Sequence, residues 1–128
     1  MALTEKALKA LEFAEGYLEK SLSALNKDEK NFADGIWHVA AELEYALFLF
    51  YLMSKGEYDV AEWKPNPEHQ KIGTNETVAK VMELLKESKK ALVNKDLIGA
   101  HKYAYIARQY VFRIQEGFVK KKHESLGK

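Results

Sequence analysis

The side chains best placed for chemistry fall into a few helical groupings. Asp34, His38 and Glu42 recur every four residues, which puts them on one face of an α-helix. Two carboxylates and an imidazole at that spacing are the donors of a partial metal site or of an acid–base pair, and His101 could add a further ligand. The set completes no known pattern. A di-iron bundle needs Glu-x-x-His on two helices and two more glutamates, and neither His-Glu-x-x-His nor a zinc spacing occurs. The stripe therefore reads first as a solvated polar face, with no metal and no cofactor expected.

A second grouping lies near the C-terminus. His101, Tyr105, Arg108, Phe112 and Gln115 follow helical spacing, and Arg113 is close by. The chain has eighteen lysines but only these two arginines. Arginine in such a chain points to fixed, multi-donor contacts with a carboxylate or a phosphate. Inside the protein, Arg108 would pair with Glu42 or Glu44, and its loss would then cost on the order of 1–4 kcal/mol. Facing outward, His101, Tyr105, Arg108 and Arg113 would form an anion site, with tyrosines available to stack on bases.

The third grouping is apolar. Tyr45, Phe48, Tyr51 and Leu52 belong to a run from Tyr45 to Met53 on a helix that already has an apolar face elsewhere. These residues need a cover. Either the segment 57–74 supplies it through Tyr58 and Trp63, or a second subunit does.

The elements that must position these groups are helices. Few breakers occur, and Leu, Ala, Lys and Glu are abundant. A first helix runs from about Thr4 to Asn26, with an apolar stripe through Leu8, Leu11, Ala14, Leu18 and Leu22. A second, from about 32 to 54, follows an N-cap at Asn31 and ends at Lys55-Gly56. Pro65 and Pro67 make the stretch to residue 74 a long connection. A third helix starts after a Thr74 or Asn75 cap, and a fourth after Asp96. The expectation is a single all-α domain spanning 1–128, a four-helix bundle of two helical hairpins: hairpin one 4–54, loop 55–74, hairpin two 75–122, and a basic tail 120–128.

The two halves look alike. Ser21 to Leu25 aligns with Ser88 to Leu92 at an offset of 67, and the following helices align at 64, setting Ala40 on Ala104 and Leu43 on Ala107. Matching hairpins of this kind would pack about a pseudo-twofold axis, the mark of an internal duplication.

Bulk composition narrows the function classes. The net charge is only +1, but residues 31–75 carry three basic and seven acidic side chains while residues 97–128 carry seven and two. Those segments are expected to neutralise each other across the bundle. The absence of cysteine excludes disulfides, thiolate metal sites and a cysteine nucleophile. No glycine-rich phosphate loop and no Gly-x-Ser-x-Gly elbow occur. The N-terminal residues turn charged at once, and the longest apolar run falls short of the roughly 18 residues of a membrane span. A cytoplasmic protein without a membrane partner is expected. The excess of lysine and glutamate with no cysteine also resembles thermophile composition.

One family resemblance can be placed on particular residues. Ala14-Glu15-Gly16-Tyr17-Leu18-Glu19-Lys20, a polar connector, and Trp37-His38-Val39-Ala40-Ala41-Glu42-Leu43-Glu44 together resemble the first two helices of HEPN-type helical domains, over about a third of the chain. The resemblance implies a helical bundle that dimerises. Active members of that family are ribonucleases with Arg, four to six residues, then His; others partner small nucleotidyltransferases in toxin–antitoxin pairs. Neither Arg108 nor Arg113 has a histidine at that distance, the next being His123, so no catalytic residue carries over. The reading that follows is a non-enzymatic helical interaction module, homodimeric and open to another small protein partner. Its alternative is an RNA- or nucleotide-associated protein that uses the basic fourth helix.

Overall fold

The computed structural model describes residues 2–67 and 72–126, with side chains described for 3–67 and 72–118. Four helices account for most of it: α1 (Ala2–Ala24), α2 (Glu29–Ser54), α3 (Thr74–Val93) and α4 (Leu97–Leu126), with no strand among the described residues. α1 packs against α2 and α3, and α4 packs against α2 and α3, so the helices form a closed four-membered ring. This is the expected all-α bundle of two hairpins.

The side-chain contacts fix the directions. Phe32 meets Phe118, Glu44 meets Arg108 and Phe50 meets His101, so numbers rise along α2 as they fall along α4, and the two helices are antiparallel. Each hairpin is antiparallel by construction. It follows that α2 and α3, though consecutive, run in the same direction, and α3 must start at the end of the bundle opposite to where α2 stops. That is why the connection is long. At 1.5 Å per helical residue it must climb about 30 Å, within reach of an extended chain of its length.

It climbs along α4. Tyr58 contacts His101, Trp63 contacts Tyr105 and its carbonyl accepts from Gln109, and the backbone of Asn66 bonds the Tyr110 phenol. Rising numbers in the segment match rising numbers in α4, so the crossover from Tyr58 to Asn66 is a strap laid parallel to that helix. Pro65, within the strap, is buried, and a residue that lacks a backbone N–H can be enclosed without orphaning a donor.

The core takes most of the expected stripes: Leu11 and Leu18 of α1, Ile36, Val39, Leu43 and Phe50 of α2, Val78, Val81 and Leu85 of α3, and Ala100, Ala104, Ala107 and Val111 of α4 are essentially inaccessible. Leu22, expected in the α1 stripe, is instead 49% exposed, and its neighbour Ser21 is the buried residue. Each buried Leu, Ile or Phe stabilises by roughly 1.5–3 kcal/mol. By length and mean hydropathy alone α2 would also pass as a membrane span, with a third of that stretch buried in the bundle. The uninterrupted run to Met53 did not show this, because Glu42 and Glu44 break the run without lowering the mean hydropathy much.

The helix ends correct three expectations. Asp28, not Asn31, is the N-cap of α2, and its carboxylate accepts the Asn31 backbone N–H at 3.1 Å and the Asn31 side-chain amide at 2.7 Å. A carboxylate at that position also suits the positive end of the helix dipole. Neither Thr74 nor Asn75 caps α3. Both lie inside it, Gly73 is the cap without a side-chain bond, and the Thr77 hydroxyl donates back to the Gly73 carbonyl. Lys120, Lys121 and Lys122 belong to α4 rather than to a separate tail; the side chains of 120–128 lie outside the described residues. Asp96 does cap α4, accepting from Gly99 N–H at 2.9 Å, and Lys55, at φ 56°, ends α2 in the left-handed region.

The hairpins are built alike, in a register one helical turn from that of the sequence comparison. Buried Ser21 donates to the Phe32 carbonyl, and buried Ser88 donates to the Ala100 carbonyl. Asp28 and Asp96 cap the second helices, and the amides of Phe32 and Ala100 bond to their carbonyls. All these pairs sit at an offset of 67 or 68, so Leu43 matches Val111 and Ala40 does not match Ala104. A slip of four residues keeps every apolar position on its face, and periodicity alone could not detect it. Close contact explains the glycine in the first hairpin: a Cβ at Gly35 would fall 1.8 Å from the Ser21 hydroxyl and 3.3 Å from the Tyr17 carbonyl.

Candidate functional site on the outer face of the second helix

The polar stripe of α2 does not assemble. Asp34 and His38 are exposed and Glu42 half-buried. The His38 Nδ1 lies 2.7 Å from the Asp34 backbone carbonyl, not its carboxylate, and the ring packs at a tilt of 33° on Tyr17, centroids 4.7 Å apart. Among the described residues no group of three His, Asp or Glu side chains converges as metal ligands.

The α4 grouping splits. His101 is buried, with 4% of its surface exposed, inside an aromatic box. Phe50 stacks on it at 5.5 Å, and Trp63 and Tyr58 meet it edge-on at 5.1 and 5.5 Å. The Tyr58 phenol and His101 Nδ1 share a hydrogen bond of 2.8 Å. Burial pushes the imidazole below its ordinary pKa and the phenol above its own. Both groups are favoured in their neutral forms, and the phenol O–H donates to Nδ1 when the ring carries its proton on Nε2. Tyr105 is drawn to Trp63, and Arg113 lies over the Tyr110 ring at 5.0 Å. Arg108 pairs with Glu44, as one branch of the expectation had it, rather than with Glu42. His101 and Tyr105 thus serve the strap, and they do not join the two arginines in one anion site.

The Arg108–Glu44 pair departs from expectation in its setting. Its side chains are 40% and 55% exposed, so solvent screens it and breaking it costs at most about 1 kcal/mol. The better-buried ion pair is Lys89 with Glu15, at 30% and 12%, which ties α3 to α1; the sequence reading passed over it. Beside Arg108, an open cleft of about 390 Å³ is lined by Arg108, Gln109, Phe112, Arg113 and Glu116.

The apolar grouping is where the structure is most specific. The strap lies on α4 and leaves α2 bare. Trp37, Tyr45, Phe48, Tyr51 and Leu52 are 53, 44, 56, 61 and 42% exposed. At 100° per residue, Trp37, Ala41, Tyr45, Phe48 and Leu52 fall within an arc of about 80° opposite Val39 and Leu43. So α2 has two apolar stripes back to back, one in the core and one facing out. Fully exposed aromatics offer ~150–250 Å² each, so this face presents on the order of 400–500 Å². That equals the largest patch usual on a monomer.

Fold and site define a four-helix bundle with one long crossover and a bare aromatic helix face. No family model, characterised protein or solved structure matches the chain.

Proposed function

We propose that the protein is a non-enzymatic helical interaction module that works as a homodimer, with the outer stripe of α2 as its docking face. The observation that carries this reading is the double-sided helix: Trp37, Tyr45, Phe48 and Leu52 are exposed although α2 already fills its place in the core. Four large apolar side chains held in water on one rigid helix are the anchors that protein interfaces favour. A cytoplasmic setting and kinship with non-catalytic HEPN-type bundles belong to the same proposal; the absent Arg–His spacing and the enclosure of His101 both support reading such a relative as a binder. The alternative, RNA or nucleotide binding through α4, rests on the cleft beside Arg108, where an anion would compete with Glu44.

Sedimentation equilibrium tests the leading reading. A dimer is expected at micromolar concentration, with Phe48→Glu shifting the dissociation constant upward at least a hundredfold while the circular dichroism stays helical. A wild-type chain that remains monomeric at high micromolar concentration overturns the homodimer.

A further inference from the structure

The outer stripe carries more than apolar area. Its centre line is a heptad row, Asp34, Ala41, Phe48 and Lys55, spaced seven residues apart, with Trp37, Tyr45 and Leu52 beside it. Seven residues span about 10.5 Å of helix, so Asp34, Ala41 and Phe48 keep nearly to one face of α2, and Lys55 follows as its C-cap, one residue past Ser54 and in the left-handed region. The row has an acid at one end, a base at the other, and a small and a large residue between. All four are exposed. Neither Asp34 nor Lys55 forms an ion pair with another described residue.

From this pattern, and resting on the homodimer reading above, we infer that two copies pair α2 against α2 antiparallel about a twofold axis between Glu44 and Tyr45. A twofold at that point sets residue n level with residue 89 − n of the partner copy. Asp34 then meets Lys55 of the other copy at both ends, Ala41 receives Phe48, and Trp37 lies level with Leu52. Every large side chain of the row faces a small one, and every charge faces its opposite.

The competing geometry is a parallel pair. It would oppose Asp34 to Asp34, Lys55 to Lys55, Phe48 to Phe48 and leave a gap at Ala41. Like charges facing each other disfavour it, and mismatched volumes leave voids. A twofold pairing is also closed, so the same stripe is fully used by two copies and does not propagate into a filament. The patch of roughly 400–500 Å² per copy supplies the apolar centre of a standard interface of about 800 Å² per partner, and the neighbouring polar residues supply the rim.

The chain has no cysteine, which makes the register directly readable. Asp34→Cys and Lys55→Cys place single thiols at exposed positions. Each variant alone, and an equal mixture of the two, would be treated with a short bismaleimide and resolved by mass. The expected result is a cross-linked dimer abundant in the mixture and at least tenfold scarcer in either variant alone. As a second readout, Asp34→Lys should weaken dimerisation at least tenfold, and Asp34→Lys with Lys55→Asp should restore it. Links formed within each single variant but not between them would mean parallel pairing. That outcome overturns this inference and leaves the homodimer standing. A wild-type dimer with no link in any combination would place the interface elsewhere and overturns it equally. A wild-type monomer overturns both.

Discussion

The second helices of the two hairpins occupy matching places in the bundle, yet their outer faces have opposite fates. Trp37 on α2 and Tyr105 on α4 are 68 residues apart, the register that the hydroxyl bonds and caps of the hairpins share. Tyr105 is covered by Trp63, whereas Trp37 is 53% exposed. The difference does not lie in the helices. It comes from the crossover, which must run from one end of the bundle to the other and can lie over only one of the two. By covering the first half of α4 it turns His101 and Tyr105 into structural residues, while α2 keeps an uncovered aromatic row among the described residues and Phe112, farther along α4, is 53% exposed. A single connection therefore separates a covered aromatic face from an exposed one.

The largest effect should come from removing the cover. Trp63→Ala takes a half-buried indole from contact with Tyr58, His101 and Tyr105, and urea denaturation should show a loss of about 2–3 kcal/mol. Trp37→Ala, measured at concentrations where the chain is monomeric, should stay within about 0.5 kcal/mol of wild type. Equal losses at the two tryptophans would erase the distinction between the faces.

A smaller and pH-dependent effect should mark His101. Its imidazole titrates below its ordinary range in the folded chain because burial penalises the charged form, while the unfolded chain binds a proton near 6.5. The unfolded state then holds more protons across that interval, so stability is full above about pH 6.5 and falls as the pH drops toward the depressed folded value. Thermal melts between pH 7.5 and 5 should show this fall, and His101→Gln should flatten it. An unchanged slope in the variant would mean that the ring is not held neutral by the strap.

The smallest effect belongs to Arg108. The pair with Glu44 joins the two contrasted helices at an exposed position, so Arg108→Ala should cost no more than about 1 kcal/mol and the difference should shrink further in 0.5 M salt. A loss of several kcal/mol would show that the pair is sequestered when two copies meet.

Much of the fold was legible because helix periodicity is local. The stripe of α1, the inner stripe of α2 and the small-residue face of α4 each repeat within one segment, and the two prolines mark the long connection. Asp96 was readable as a cap for the same reason. Asp28 was missed in favour of Asn31 because both are good capping residues three positions apart, and only the backbone, extended at Asp28 with φ −144°, shows where the helix begins. The hairpin register was missed because a shift of one turn leaves every face intact.

The sequence by itself determined that there are four amphipathic helices, that one of them is apolar on two sides, and that it contains no cysteine, no glycine-rich phosphate loop and no His-Glu-x-x-His spacing. Those facts depend on residue type and short spacing. Tertiary structure decided which of the two apolar sides of α2 faces the core, that the crossover lies on α4, that His101 is enclosed and that Arg108 takes Glu44 rather than Glu42. Each of these depends on which end of one helix meets which end of another. Periodicity carries no information about direction or partner, and the strap's path follows only once α2 and α3 are seen to run the same way.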